Sequence, residues 1–283
     1  MMKVAVIGGG TMGTGIAYVS ALAGHTVVVV EPDSGRSAAM LKVLLEAVSS
    51  AKKRGKLDDS TGRDLLGRIR HVQSIPELTA PLDIAIETVS ERLELKHAVL
   101  RQIAALDPRL LATNTSALSI DRLAGVLSAP ERFLGMHFFN PVWSFKLVEL
   151  VRGEVTSEPA LAQAREFVTS LGKEFLVVRD IPGFATSRLD LIASLEAMRM
   201  LESGVASAAD IDRAAVLAYH HPVGPLRLSD IVGLDVRLDI ARVLEKAHGS
   251  RFAAPQILME KVARGELGQK SGQGFFSWPE GSQ

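Results

Sequence analysis

Cysteine is absent from the 283 residues, which removes disulfide frameworks, thiolate nucleophiles, iron–sulfur clusters and cysteine-ligated zinc. Long apolar runs are absent too. The longest cover only a few residues, such as Val27 to Val30, far short of the roughly 20 that a membrane helix needs. Net charge is missing as well, because 32 Lys and Arg balance 32 Asp and Glu. That balance argues against a nucleic-acid binder or an acidic tail acting through bulk electrostatics. No spacing of His, Asp and Glu outlines a metal site. The N-terminus passes from Met1-Met2-Lys3 straight into Val4-Ala5-Val6-Ile7 and a glycine triplet, too early for a signal-peptide core. The expectation is a cytoplasmic protein with neither membrane nor nucleic acid as partner.

What remains is ordinary globular composition, 47% hydrophobic, with length for one large domain or a large and a small one. Short β-branched runs alternate with helical stretches over the first two-thirds. Val4–Ile7, Thr26–Glu31, Leu82–Ile86, Leu110–Thr113, Phe133–Met136, Lys146–Val151 and Glu174–Val178 read as strands. Met12–Ala23, Ser37 to about Arg54, a piece near Gly62–Arg68, Leu93–Leu106 and Pro159–Leu171 read as helices. Such alternation predicts an α/β class built from βαβ units with a mainly parallel sheet. After Asp180-Ile181-Pro182-Gly183 the strands cease, and helices follow with stops at Gly204, His221-Pro222, Gly224-Pro225 and Gly233. The Pro-Gly turn places a boundary between residues 1–182 and an all-helical 183–283, whose polar end after Trp278 is expected to fray.

Gly8-Gly9-Gly10-Thr11-Met12-Gly13 fits G-x-G-x-x-G, a weak signal by itself. Here it follows a strand, opens a helix and precedes a second strand ending at Glu31, the Rossmann context for a dinucleotide. Gly8 permits the tight turn, Gly10 lets backbone approach a pyrophosphate, and Gly13 lets helix pack on strand. Met12 lies in the same turn. Glu31, 18 residues beyond Gly13, suits the ribose hydroxyls and repels a 2′-phosphate, favouring NAD over NADP. Arg36 nearby is the counterweight, since an arginine can pair that phosphate.

His137 sits at a strand end within Gly135-Met136-His137-Phe138-Phe139-Asn140-Pro141, and Glu149 follows 12 residues later inside apolar Leu147–Val151. A carboxylate in such a strand needs a partner. If the strands adjoin, Glu149 can fix the imidazole tautomer and stabilise its charged form, as behind a general base. Asn114-Thr115-Ser116 adds an amide and hydroxyls at the carboxyl end of another strand, the edge where open α/β sheets bind ligands. Taken singly, His137 also fits a core histidine, Glu149 a buried ion pair and Ser116 a helix cap. Lys52-Lys53-Arg54-Gly55-Lys56 concentrates four cations, which suit phosphates or simply complement a helix C-terminus.

Together these motifs resemble the short-chain L-3-hydroxyacyl-CoA dehydrogenases, including 3-hydroxybutyryl-CoA dehydrogenases. The likeness also runs through Ile86-Glu87, Glu91-Arg92-Leu93-Glu94-Leu95-Lys96 and Lys146-Leu147-Val148-Glu149. It continues in Pro182-Gly183-Phe184, His221-Pro222-Val223-Gly224-Pro225 and Gly268-Gln269-Lys270-Ser271-Gly272-Gln273-Gly274-Phe275. The resemblance implies a Rossmann NAD domain followed by a helical domain that mediates homodimerisation, acting on a short-chain acyl-CoA. It implies His137 as general base, Glu149 as its partner and Ser116 on the reacting oxygen. It implies cofactor contacts from Glu91, Lys96, Asn114, Asn140 and Lys270, and coenzyme A contacts from Lys53 and Lys56. One position departs from the pattern: Ser187 stands where the family has an asparagine that helps hold the substrate carbonyl. Loss of such a donor costs about 2–4 kcal/mol in the transition state unless a water or Thr186 compensates, or the substrate differs. The runner-up readings are a dehydrogenase of a non-CoA hydroxy acid or sugar acid, and a non-catalytic NAD-binding protein.

Overall fold

The computed structural model describes residues 1–79 and 81–279, so the last part of the tail expected to fray lies outside the described residues. The chain divides into two compact units, Met1–Ile181 and Pro182–Gln283.

The first unit is built on an eight-stranded sheet in the order β3-β2-β1-β4-β5-β6-β7-β8. β1 (Lys3–Ile7), β2 (Thr26–Val30), β4 (Ile84–Glu87), β5 (Leu110–Thr113) and β6 (Phe133–Phe138) are short and almost wholly buried. Continuous apolar runs of this kind belong to a parallel sheet covered on both faces. Neighbours among these five strands pair in parallel, and β2 pairs in parallel with β3 (Ile69–Val72). β7 (Leu147–Arg152) runs antiparallel to β6, and β8 (Glu174–Arg179) pairs in parallel with β7. Strand β3 was not expected from the sequence. Its Ile-Arg-His-Val is half polar because it lies at the sheet edge, with one side open to water.

α1 (Thr11–Leu22), α2 (Ser34–Lys53), α3 (Asp59–Gly67), α4 (Leu93–Ala104), α5 (Ile120–Ala124) and α6 (Glu158–Ser170) supply the connections. The five-residue α5 also escaped the sequence reading, being too short to show helical periodicity. Asp33, Asp58, Ser119 and Ser157 cap α2, α3, α5 and α6 through their side chains. The core joins Ile16 and Val19 of α1, Met40 and Leu44 of α2 and Phe167 of α6 to the sheet residues Val4, Val6, Ile84 and Met136. Because β1 to β6 run the same way, the loops after β1, β4, β5 and β6 emerge at one sheet edge. The strand order reverses between β1 and β4, the switch point where such sheets take ligands.

The second unit is helical, as expected: α7 (Thr186–Glu202), α8 (Ala208–Tyr219), α9 (Pro225–Val232), α10 (Leu234–His248) and α11 (Gln256–Ala263). Its core is formed by Leu191, Leu195, Met198, Leu226, Leu238, Leu244, Phe252 and Leu258. Asp230, fully buried, accepts bonds from the Phe275 and Phe276 amides and the Trp278 indole N–H, each at 2.9 Å, and so ties the end of the chain to α9.

Candidate active site

The glycine turn occupies the end of β1. Gly8 has φ +113°, a left-handed value that favours glycine, and a Cβ on Gly13 would collide with the Gly8 carbonyl oxygen. A Cβ on Gly10, by contrast, would meet nothing within 4 Å, so the backbone at the start of α1 stands open. That helix start carries no side-chain cap and no acidic residue in its first turn. Uncapped amides with an open approach fit the pyrophosphate of a dinucleotide. Met12 lies in this first turn and is partly buried.

Glu31, just beyond β2, is only 4% exposed. It accepts the Gly9 N–H at 2.9 Å on Oε2 and the Asp33 N–H at 3.0 Å on Oε1. Arg36 stands 3.3 Å from the same Oε1 and 4.0 Å from Asp33 Oδ1, so this guanidinium lies between two carboxylates. A 2′-phosphate would have to displace them. His71, which drew no attention in the sequence, places Nε2 2.9 Å from the Glu31 carbonyl oxygen.

A second cluster forms behind the edge. Glu87, fully buried at the end of β4, meets Lys96 Nζ at 2.8 and 3.0 Å, Thr113 Oγ1 at 2.6 Å and the Val89 N–H at 2.6 Å. Lys96 is 1% exposed and also lies 3.3 Å from Glu91 Oε2. Burial pushes the Glu91 pKa up, but the Lys96 charge and the bonds from Thr115 and Ala117 outweigh it and hold the pKa below the ordinary value. Through Oε1, Glu91 takes the Thr115 hydroxyl and the amides of Ser116 and Ala117, both at 3.1 Å. Lys96 thus sits behind Glu91, and Glu91 shapes the turn that presents exposed Ser116. Glu87 and Thr113 were not singled out from the sequence. The signal for Glu87 was close to that for Glu149, a carboxylate in an apolar strand.

His137 and Glu149 are direct cross-strand partners in the antiparallel β6–β7 pair. The condition set by the sequence is met: His137 Nδ1 lies 2.9 Å from Glu149 Oε2, with Glu149 fully buried and His137 8% exposed. Asn114 Oδ1 accepts the Phe138 N–H at 2.9 Å and fastens the end of β5 to the end of β6. Asn140 is exposed in the loop that follows.

Beyond that loop lies a cavity of about 780 Å³ between α1, the far half of α2, the β6–β7 loop and the α6–β8 turn. Arg54, Lys56, Lys146 and Lys173 line it with Trp143 and Phe145, against one carboxylate, Glu46. Of the basic run, Lys52 is instead paired with Asp59 at 2.9 Å, and Lys53, at the last turn of α2, is exposed and outside this lining. Ser187 and Lys270 belong to the second unit. Ser187 is in the first turn of α7, and Lys270 donates to both Asp235 oxygens at 2.6 Å. No group of three or more metal-ligating side chains is found among the described residues, and none of their helices is long and apolar enough to cross a membrane.

A glycine turn at the switch point, a buried acid after β2 and a carboxylate-backed histidine at the same edge define a dinucleotide-dependent oxidoreductase. The comparisons with known proteins give the family. Residues 3–181 match the model "3-hydroxyacyl-CoA dehydrogenase, NAD binding domain", and residues 183–278 match "3-hydroxyacyl-CoA dehydrogenase, C-terminal domain". The chain belongs to the 3-hydroxyacyl-CoA dehydrogenase family. It is 38% identical over 279 residues to a 3-hydroxybutyryl-CoA dehydrogenase of Bradyrhizobium diazoefficiens, covering 98% of this chain and 95% of the relative. The crystal structure of (S)-3-hydroxybutyryl-CoA dehydrogenase from Ralstonia eutropha superposes with a TM-score of 0.95 at 36% identity, covering 99% and 100% of the two chains. A diketoreductase acting on dicarbonyl compounds is also similar, with a TM-score of 0.84 at 27% identity over 98% and 99%.

Proposed function

We propose that this chain is an NAD-dependent dehydrogenase that interconverts a short-chain L-3-hydroxyacyl-CoA and its 3-ketoacyl-CoA, with His137 as general base. The observation that carries the reading is the 2.9 Å His137–Glu149 contact at the sheet edge that also bears the glycine turn. Bound NAD supplies the two-electron acceptor. The chain's own residues do the rest. Gly8, Gly10, Met12 and Gly13 receive the pyrophosphate at the start of α1, and Glu31 accepts from the ribose hydroxyls. With a proton on Nδ1 directed to Glu149, Nε2 is left basic to take the 3-hydroxyl proton, and Glu149 stabilises the resulting imidazolium. In reduction the same nitrogen returns the proton. Ser116, held out by Glu91, bonds the reacting oxygen, while Asn114 fixes the end of β6, which bears His137 and leads to Asn140. Lys96 supports the cofactor side by setting Glu91.

The cationic cavity suits the phosphates of a coenzyme A handle, with Lys56 in its lining, and Lys53 joins it in this reading on the strength of the family resemblance. Lys270 on the cofactor and Ser187 on the substrate complete the reading on the strength of the family resemblance. Exposed Leu189, Leu217 and Tyr219 on the helical unit support a homodimer formed through that unit.

Ser187 favours a second reading, a hydroxy acid without coenzyme A, because the shorter side chain offers one donor in place of two. NADH oxidation measured side by side with acetoacetyl-CoA and free acetoacetate separates the two. Turnover of the thioester is expected; turnover of the free acid alone overturns the substrate class. His137→Gln is expected to bind NADH normally and lose about 10²–10⁴-fold in kcat. Full turnover in that variant removes His137 from the chemistry.

A further inference from the structure

The segment from Phe139 to Lys146 begins two residues after His137 and is fastened at several points. Val142, 2% exposed, packs onto α1 at Gly15, where a Cβ would come within 2.7 Å of the valine side chain. Trp143 stands edge-on to Tyr18, with ring centres 5.7 Å apart. Pro141 O accepts the Ser144 and Phe145 amides at 2.9 and 3.2 Å. The Phe139 ring lies 4.6 Å from the His137 imidazole and 6.2 Å from Phe145. This loop therefore has one side on the imidazole and the other on the cavity.

Lys173 holds it from outside. In the turn between α6 and β8, its Nζ donates to the carbonyl oxygens of Val142 and Phe145, both at 2.6 Å. No carboxylate forms an ion pair with it among the described residues. An ammonium commonly stays hydrated at the surface or pairs with an acid. Here a half-buried one is given to two loop carbonyls, one on each side of Trp143 and Ser144, and burial lowers its pKa. Charge-assisted bonds of this length are among the stronger ones a loop can receive.

We propose that Lys173 is a positioning residue for the dehydrogenase reaction: by clamping the Val142 and Phe145 carbonyls it sets the 139–146 loop, and the loop sets the His137 imidazole through Phe139. The proposal rests on the reading of His137 as the base. Lys173 touches neither the imidazole nor the glycine turn, so its effect reaches the base only through the loop. The ring tilted against His137 limits its rotation about the Nδ1–Glu149 contact, and small misplacements of a reacting group cost large factors in rate.

The test compares Lys173→Met, which keeps the stem and removes the donors, with Lys173→Arg, which keeps N–H donors for the two carbonyls. Phe139→Leu removes the ring by which the loop reaches the imidazole, and serves if the methionine variant does not fold. Steady-state kinetics with acetoacetyl-CoA and NADH across pH, NADH binding by fluorescence, and Tm are measured for each. Lys173→Met is expected to lose about tenfold or more in kcat. Its KM should change less, the limb of the pH–rate profile should move, and NADH should bind as before. Arginine should restore most of the loss, and the Lys173→Met, Phe139→Leu double variant should lose no more than the worse single one. Wild-type kcat and pH profile in Lys173→Met, or a fall in Tm alone, overturns the proposal. So do additive losses in the double variant. His137→Gln run in parallel tells the two failures apart. If it is inactive while Lys173→Met is normal, only the positioning role falls. If it turns over normally, the base assignment falls and takes the proposal with it.

Discussion

Glu31 holds the Gly9 amide with one carboxylate oxygen and the Asp33 amide with the other, and the second oxygen also faces Arg36 at 3.3 Å. Coenzyme choice therefore rests on one side chain that has already committed much of its hydrogen-bonding capacity. Glu31→Ser should free Arg36 to meet a 2′-phosphate and remove the acceptor for the ribose hydroxyls. A lost charged hydrogen bond is worth about 1.5–3 kcal/mol, so the KM for NAD should rise about tenfold while NADP becomes a usable coenzyme. Kinetics with both coenzymes check this, and an unchanged NAD to NADP ratio would sink it. Glu31 was legible in the sequence from its spacing after the glycine turn, and the His137–Glu149 pair because a carboxylate inside an apolar strand demands a partner. Lys96 entered only through the family resemblance, and Lys173 not at all. Lys96 occurs on a helix rich in charge, and Lys173 follows a Leu-Gly turn, so both look like solvated cations. Their burial comes from contacts that local spacing does not encode: Lys96 with Glu87 across nine positions, and Lys173 with Val142 across 31.

Among the elements, those with an apolar run or stripe were legible and those without one were not. β1, β2 and β5 are bounded by turns and rich in β-branched or leucine residues, and α4 and α6 keep a clear apolar stripe, so all five fall within a residue or two of their expected ranges. β3 interrupts its apolar residues with Arg70 and His71, and α5 offers five residues, too few for a helical period. The packing between α7 and α10 carries another feature that periodicity hides. Arg237 on α10 is 2% exposed and pairs with Asp190 on α7, yet its Nε and Nη2 have no acceptor among the described residues. A buried cation with one partner depends heavily on that partner. Asp190→Ala should destabilise the helical unit by about 2–4 kcal/mol, somewhat under the figure for a fully buried pair because Asp190 is partly exposed. Replacing both, as Asp190→Leu with Arg237→Met, should recover most of that loss, since apolar groups of similar volume need no pairing. Chemical denaturation of the wild type and both variants measures it. A single aspartate variant as stable as the wild type would contradict the argument.

For the whole molecule, equal numbers of acids and bases mean that net charge steers nothing over long range, so attraction of an anionic substrate must be local. The cavity beside the β6–β7 loop provides that locality, with Arg54, Lys56, Lys146 and Lys173 set against Glu46. One of these is already engaged: Lys173, by the loop carbonyls. Arg54, Lys56 and Lys146 are exposed, and no ion pair is formed by any of the three among the described residues. They are the cations most available to a phosphate. Exposed charges are screened over about 8 Å at physiological salt, so their contribution should weaken as salt is added. Lys56→Glu should therefore raise the KM for acetoacetyl-CoA about fivefold, the equivalent of about 1 kcal/mol, and leave kcat within about twofold. The wild-type KM for the thioester should climb with added sodium chloride, and the variant's should climb less. Free acetoacetate has no handle to reach the cavity, so its kinetics should be indifferent to the substitution. Equal effects of Lys56→Glu on both substrates would mean that the basic run serves α2 as a solvated helix end and that the coenzyme A handle lies elsewhere.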